Sequence, residues 1–531
     1  GRARGGAMRS ASFAIASLLA ACIGVALALL FAQAGDADLA GLLASAYPRR
    51  VLQFTLLQAG LSTLVSIGLG VPVARAFARE TAFPGRRLLL GLMSLPIVLP
   101  SLVAVFGIVS IYGRNGVLGA ALGVAGIAAR PDIYGLGGVV LAHVFFNLPL
   151  AVRLLLPGWQ SIPVETWRLA AQLGMSGWAR FRLIEAPMLR RYLPQAAAAI
   201  FMLCVGSFAI VLALGGGPGA ATFEVAVYEA IRFEFDPPRA ALLALCGLAL
   251  NLLCLLLAQR AVGEAALATG WRNAQGWSVG WTLGRAGDAA FLLAAGLFVL
   301  APILATLVDG ILGLLRGRLD WSALAMATGV SLGLALPAAC LSLAVALPLV
   351  LAEAAVRPLQ PRRAALLRVA SALPIAVSPM ALGLGWFLAL RLVIDGTPRT
   401  VIGVILLNAL MTIPFVAAIL RPAVERAWHR HERLCRALGI AGWSRWRLVD
   451  GPVLRPAIGV ALAMAAAMAL GDLVGIGLFG DAKLRNLTLL LYDQIGAYRM
   501  EGAAAIAALL LLLVFVTYQT IERMVGGRAA P

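Results

Sequence analysis

The chain has 531 residues, of which 61% are hydrophobic and 13% are charged. A soluble globular protein carries about 25% charged residues, so this composition excludes an ordinary soluble domain and indicates that lipid is the solvent. The formal net charge of +19 would point to nucleic acid in a soluble protein. No base-reading module accompanies that charge, and we expect no nucleic-acid partner.

Twelve apolar runs of about 20 residues each predict transmembrane helices. Backbone polar groups in lipid must be satisfied internally, and runs of this length favour helices over barrel strands. The first run follows Arg9 and is too long for the apolar region of a signal peptide, so we interpret it as the first helix. The predicted spans are 11–33, 51–74, 88–112, 135–156, 192–215, 239–260, 287–309, 326–352, 367–391, 400–421, 456–478 and 503–521.

The distribution of arginine predicts the orientation. If the N-terminus is cytoplasmic, most of the 43 basic residues fall in the inner loops, as the positive-inside rule requires. The positive charge is then mainly a consequence of topology. Because the number of spans is even, the C-terminus is predicted to be cytoplasmic as well.

The chain repeats itself. The segment "LGMSGWARFRLIEAPMLRR" (173–191) matches "LGIAGWSRWRLVDGPVLRP" (438–456) at 10 of 19 positions. Shorter matches extend the alignment in both directions and give each half six spans, with its polar loop between the fourth and fifth. We therefore predict an all-α integral membrane protein built from two parallel six-helix repeats.

The repeat predicts the division of the chain into segments. These are an N-terminal transmembrane helix with the first outer loop (1–50), a first repeat domain (51–261), a cytoplasmic linker with the seventh helix and an outer loop (262–325), a second repeat domain (326–521) and a cytoplasmic tail (522–531).

Each polar loop is predicted to form a short helix, a glycine break and a second short helix that ends at a proline. Gly174 and Gly177 allow a tight turn, and Pro187 can stop or kink the second segment. A basic loop that served only the positive-inside rule would not need to keep glycine, Gly-Trp, Arg-x-Arg-Leu and proline at one spacing in both halves.

This spacing resembles the EAA loop of ABC importer permeases, whose two fused halves have the type I fold. In that family the loop forms a coupling helix seated in a groove of an ATPase subunit. The sequence departs from the family at Arg168 and Arg433, where the family often has Glu, while Glu165 and Glu432 are out of register. The resemblance implies that the coupling residues are Ala170, Ala171, Gly174, Ile184, Pro187, Gly439, Val449, Gly451 and Pro452.

Further segments are similar to the thiamine permeases within this family, among them "LALGGGPGAATFEVAVYEAI" (212–231) and "LYDQIGAYR" (491–499). The resemblance implies import of thiamine or its phosphates across the bacterial inner membrane. It also implies a periplasmic binding protein that docks on the acidic outer loops. Two alternatives remain open. One is the same type of permease with iron(III) or another small solute as its substrate, and the other is an ion-coupled secondary transporter.

The sequence offers no nucleotide site of its own. A P-loop needs a lysine followed by Ser or Thr, whereas Lys483 is the only lysine and Leu484 follows it. We therefore expect ATP to be bound by two copies of a partner ATPase, with no cofactor in this chain and no enzymatic activity. Neither the six cysteines, which form no CxxC pair, nor His143, His429 and His431 indicate a metal site.

The candidates for the substrate path are polar or aromatic groups at membrane depth. Asp472 lies late in the eleventh span with Ser207 as its repeat partner, and an intramembrane charge is costly enough to warrant a functional hypothesis. Its carboxylate could attract a cationic ligand, and Phe208 or Trp386 could add cation–π attraction. The alternative is that Asp472 lies in water at an outer helix end.

Overall fold

The computed structural model describes residues 2–35, 41, 45–114, 116–126, 132–261, 282–316, 319–480 and 484–527. All regular structure in these residues is helical, which confirms the predicted fold class. Most of the predicted linker and Lys483 lie outside the described residues. The predicted division into five segments stays a prediction.

Thirteen α-helices are described before residue 262. They are α1 (Arg2–Ala34), α2 (Tyr47–Arg79), α3 (Arg86–Leu92), α4 (Leu95–Val98), α5 (Ser101–Tyr112), α6 (Val117–Val124), α7 (Leu136–Gln160), α8 (Val164–Gln172), α9 (Gly177–Arg180), α10 (Ala186–Val205), α11 (Ala209–Leu214), α12 (Phe223–Arg232) and α13 (Pro237–Ala261).

The second half repeats most of this order. Its described helices are α14 (Thr282–Arg316), α15 (Trp321–Val356), α16 (Pro361–Ala376), α17 (Pro379–Arg391), α18 (Thr397–Ala437), α19 (Trp443–Arg445), α20 (Gly451–Leu470), α21 (Val474–Phe479), α22 (Leu487–Gly496) and α23 (Met500–Gly526).

Ten helices in the described part of the chain are long and apolar enough to cross a membrane, or 11 if the bent pair of α16 and α17 counts as one span. The fifth predicted span is represented by α10, which is more polar because Arg190 and Arg191 lie near its start. It has 20 residues, the same length as its repeat α20. With α10 included, the helices agree with the predicted twelve spans.

Several predicted spans are broken, although each apolar run predicted one continuous helix. The run 367–391 bends by 89° between α16 and α17. The cause is local: Pro379 occupies the first turn of α17, and the side chain of Ser378 caps that turn by accepting a hydrogen bond from the backbone N–H of Ala381 (3.1 Å). The equivalent run 88–112 is divided into α3, α4 and α5.

The fifth and eleventh spans also end earlier than predicted. α10 stops at Val205 and α20 at Leu470, each followed by a glycine and then by a short helix, α11 or α21. Both glycines keep right-handed backbone angles at these ends, with φ of −83° at Gly206 and −87° at Gly471. Apolar composition alone did not reveal these two breaks.

The fourth span differs between the halves. In the first half Pro163 separates α7 from α8, because proline lacks the N–H that a continuous helix needs. In the second half Trp428 occupies the equivalent position, and α18 continues for 41 residues into the polar loop. The helix therefore contains the predicted span 400–421 and extends beyond its C-terminal end.

The two halves exchange their first helices. α1 packs against α17 of the other half so closely that a methyl group on Gly385 would overlap the backbone of Ala26. α14 packs against α5 in the same way, because a methyl group on Gly107 would overlap the carbonyl group of Pro302. Glu224 adds a third contact between the halves by accepting a hydrogen bond from the backbone N–H of Met380 (3.1 Å).

Candidate functional site in the two polar loops

Each polar loop begins with a helix that ends in a Schellman motif. In the first copy Met175 N–H donates to the carbonyl of Ala170 (3.0 Å), and Gly174 N–H donates to Ala171 (3.1 Å). These two bonds satisfy carbonyl groups that the end of α8 would leave unpaired. Gly174 has a φ of 60°, in the left-handed region that favours glycine.

The second copy ends in the same motif. Ile440 N–H donates to Cys435 (2.9 Å), Gly439 N–H donates to Arg436 (3.3 Å), and Gly439 has a φ of 65°. A Cβ atom at Gly174 or Gly439 would meet nothing within 4 Å. Both glycines are therefore required for their backbone angle and not for space.

The second part of each loop differs from the prediction. The chain passes from α9 through a π-helical turn, Phe181–Glu185, directly into α10, so Pro187 does not end the segment. Pro187 lies in the first turn of α10, where a missing N–H costs little. The second copy repeats this arrangement with α19, the π turn Trp446–Asp450 and Pro452 in α20.

Four apolar side chains in each loop are exposed. Trp178 is 70% exposed and Trp443 is 75% exposed, which is unusual for tryptophan. We define the apolar loop surface as these two residues and three exposed leucines from each copy. The members, in repeat pairs, are Leu169 and Leu434, Leu173 and Leu438, Trp178 and Trp443, and Leu183 and Leu448.

The predicted coupling residues lie mainly beside this surface. Ala170 is buried, as is its repeat partner Cys435, and Ile184 and Val449 are half-buried. Ala171, Gly174, Gly439, Pro187 and Pro452 are exposed, and Gly451 is half-buried. The sequence carried a signal for the missed leucines and tryptophans, because all four are identical in the two copies.

A buried carboxylate ties the first loop to the membrane helices. Glu185 in the π turn is fully buried and binds Arg75 of α2 through two contacts, Nε–Oε2 at 2.7 Å and Nη2–Oε1 at 2.8 Å. Trp159 of α7 donates its indole N–H to the same carboxylate at 3.2 Å. Bidentate charged pairs fix geometry as well as adding energy, so a movement of this loop would be passed to α2 and α7.

The second polar loop is held by contacts within the loop and with the end of α18. Arg445 binds Asp450 at 3.0 Å, also pairs with Glu432, and lies 3.8 Å above the ring centre of Trp428. Glu432 thus provides a carboxylate bridge within the loop although it is one position out of register with the family pattern. Arg433 and its repeat partner Arg168 are both exposed.

Comparisons with known proteins show the family to which the chain belongs. Residues 66–262 match the family model described as "Binding-protein-dependent transport system inner membrane component". The chain is 42% identical over 530 residues to the thiamine transport system permease protein of Brucella abortus (strain 2308), covering 95% of both chains. It is 40% identical over 511 residues to the Escherichia coli (strain K12) protein of that name, again covering 95% of both.

The corresponding protein of Haemophilus influenzae is 36% identical over 509 residues, covering 94% of this chain and 93% of the relative. The chain belongs to the thiamine transport system permease family. The predicted resemblance is confirmed, and the protein is a multi-span membrane permease of a bacterial transport system.

The structure describes the surroundings of the four predicted substrate-path residues of the permease. Asp472 lies in the break between α20 and α21 and caps α21, accepting hydrogen bonds from Val474 N–H (3.1 Å) and Gly475 N–H (2.8 Å). Ser207 lies at the equivalent break between α10 and α11. In the described structure no hydrogen bond or ring contact links Asp472 to Phe208 or Trp386.

The two aromatic candidates have different surroundings. Phe208 is buried, and its ring meets the ring of Tyr228 edge-on at 5.3 Å. Trp386 is half-buried on α17, where its indole nitrogen has no hydrogen-bond partner. Their part in transport stays a prediction.

A buried polar cluster in the first half of the permease was missed. Gln58 donates to the carbonyl of Cys204 (2.8 Å), and the hydroxyl of Ser62 lies 3.2 Å from Nδ1 of His143. Asn147 donates to Sγ of Cys204 (3.2 Å). The repeat partners of His143, Asn147 and Cys204 in the second half are Asn408, Thr412 and Ala469. The four-residue spacing of Gln58, Ser62 and Ser66 in an apolar run was the available signal.

Proposed function

We propose that this chain is the membrane subunit of an ATP-driven importer that carries thiamine or its phosphates from the periplasm to the cytoplasm. Support for the substrate comes from relatives that are named thiamine transport system permease proteins and match over nearly the whole chain. The observation that carries the mechanism is the apolar loop surface, which occurs twice with the same four residue types.

The proposal assigns ATP binding to a partner. Lys483 cannot serve a P-loop because Leu484 follows it, so two copies of a separate ATPase subunit would each seat one polar loop. A duplicated surface fits a pair of identical partners. In this arrangement the permease holds no cofactor and has no catalytic site of its own.

The loops can transmit movement by two routes. When the ATPase pair closes, the first loop would pull α2 and α7 through Glu185, Arg75 and Trp159. The second loop would move with α18, because Arg445 is held against Trp428 and Glu432 within that helix. Rigid-body rocking of packed helices is the established form of such transitions.

The proposed orientation follows from charge. Arginine-rich loops remain on the cytoplasmic side, which places both polar loops, the N-terminus and the C-terminus inside the cell. The acidic loops 216–238 and 479–502 then face the periplasm, where a binding protein would deliver the substrate. The membrane is the inner membrane of a bacterium.

The test is reconstitution of the permease with its ATPase and binding protein in liposomes. We expect uptake of labelled thiamine that requires ATP and all three components. Uptake of iron(III) with no uptake of thiamine would refute the substrate. Uptake driven by an ion gradient in liposomes without the ATPase would refute the mechanism.

A further inference from the structure

Two residues other than glycine adopt a left-handed backbone conformation in the described part of the chain. They are Phe235, with a φ of 53°, and Tyr498, with a φ of 56°. This region is unfavourable for a side chain with a Cβ atom, at a cost of about 1–2 kcal/mol per residue. Strain of this kind persists where the residue has a use that outweighs it.

The strain at Tyr498 can be compared with glycines in the same molecule. α22 ends in a Schellman motif, in which Arg499 N–H donates to Gln494 (3.0 Å) and Tyr498 N–H donates to Ile495 (3.1 Å). Tyr498 occupies the position that Gly174 and Gly439 occupy in the polar loops. Glycine would satisfy this turn without strain, so the turn itself does not require tyrosine.

Packing within the permease does not account for the two rings either. Phe235 is 80% exposed and Tyr498 is 78% exposed. Each follows the short outer helix of its half, α12 or α22, immediately before the last long helix. A strained and exposed aromatic residue therefore follows the short outer helix in each half, although the two residues are not in register in the repeat.

The two rings lie on the face opposite the polar loops. α10 and α20 start at the loops and run for 20 residues each, a distance of about 30 Å, before the chain reaches α12 and α22. If the loops face the cytoplasm, both rings face the periplasm, one on each half.

The surroundings of both rings fit a protein partner. Beside Tyr498 is a recess of about 510 Å³ whose lining includes Asp320, Gln494 and Arg499. Beside Phe235, the guanidinium of Arg239 pairs with Glu234 at 2.7 Å, and the backbone N–H of Arg239 donates to the carboxylate of Asp236 at 3.0 Å. An aromatic anchor surrounded by a polar and charged rim is the usual anatomy of a protein–protein contact.

We propose that Phe235 and Tyr498 are paired anchors that hold the secreted binding protein on the outer face, one on each half. This inference rests on the proposed function and on the family description, which names a binding protein. Both rings are largely exposed, so a partner can reach them. An aromatic belt at the lipid interface needs no left-handed backbone, because a ring on a regular helix surface serves that purpose.

The first experiment replaces the rings without harming the turns. Asparagine tolerates the left-handed region, so Phe235→Asn and Tyr498→Asn should fold at least as well as the native chain. We expect each variant to weaken binding of the binding protein to the permease–ATPase complex in nanodiscs by about tenfold or more, and the double variant by more. The basal ATPase rate should not change. Phe235→Tyr and Tyr498→Phe, which keep the rings, are the matched controls and should bind normally.

A second experiment keeps both rings. A photoreactive phenylalanine analogue at position 235 or 498 should form a crosslink to the binding protein on illumination. Native affinity in the double asparagine variant would overturn the anchors. Crosslinking to lipid only would also overturn them and would identify the rings as membrane contacts. If the binding protein stimulates the native complex and all variants equally, only this inference fails. If it does not stimulate the native complex at all, the proposed function fails with it.

Discussion

Glu185 shows how much of the loop's attachment depends on one carboxylate. Its oxygens accept three hydrogen bonds from two side chains on different helices, Arg75 and Trp159. A buried charge without partners is costly, so the buried carboxylate of Glu185 depends on the hydrogen bonds from Arg75 and Trp159. The arginine is partly exposed at 31%, whereas the carboxylate is at 0%, so loss of the carboxylate leaves an arginine that water can still reach.

The first prediction concerns this residue. Glu185→Gln keeps an oxygen for Trp159 but removes the charge that binds Arg75. We expect a loss of about 1–3 kcal/mol in the free energy of unfolding and weaker coupling of ATP hydrolysis to uptake, measured by thermal melting and transport assays. Glu165→Gln, at an exposed position of α8, is the control and should change neither. Native melting and native coupling in Glu185→Gln would contradict the role of the carboxylate.

At the scale of the element, the polar loop is a rigid structure with a separate contact surface. Backbone bonds at Gly174 and Gly439 shape it, while exposed leucines and tryptophans form what a partner would touch. Because these side chains support little of the loop's own structure, their removal should affect binding more than folding.

The second prediction tests that separation. Trp178→Ala combined with Trp443→Ala should leave the melting temperature close to the native value, because both rings are at least 70% exposed. Affinity for the ATPase should fall by about a hundredfold or more, since two aromatic contacts of hot-spot strength are lost. Leu366→Ala removes an exposed leucine from α16, outside the polar loops, and should leave ATPase binding unchanged. Native affinity in the double variant would exclude these rings from the interface.

The sequence predicted elements where one physical signal dominates. Apolar length located the spans, and the duplicated glycine spacing located the loops. The breaks at Val377 and Gly206 were missed because a helix interruption in lipid depends on caps and neighbouring helices, not on mean hydropathy. Likewise, the sequence predicted Asp472 to be an isolated charge. Its carboxylate oxygens cap α21, and composition does not reveal a local contact of this kind. The leucines and tryptophans of the apolar loop surface are identical in the two copies, but their exposure can be judged only after the fold is known.

At the scale of the whole molecule, the close contacts of Gly107 and Gly385 join the two halves. The neighbouring atoms are backbone atoms of Pro302 and Ala26, which cannot move aside as a flexible side chain can. Tolerance to substitution should therefore be low at both positions.

The third prediction follows from this packing. Gly385→Val should lower the free energy of unfolding by about 1–3 kcal/mol or more, because the added side chain overlaps the backbone of α1. Gly329→Val places the same residue within α15, where a Cβ atom meets nothing within 4 Å, and is the control. The melting temperatures of the two purified variants measure the difference. Equal stability would show that α1 and α17 can separate without cost.

The exchange of α1 and α14 limits the kinds of movement that are available to the permease. Pulling the halves straight apart would uncover the faces of both exchanged helices at once, and each face is apolar and closely packed. Pivoting about the two glycine contacts would keep both faces covered. A transport cycle that keeps these two contacts would therefore turn the halves about them and not pull them apart.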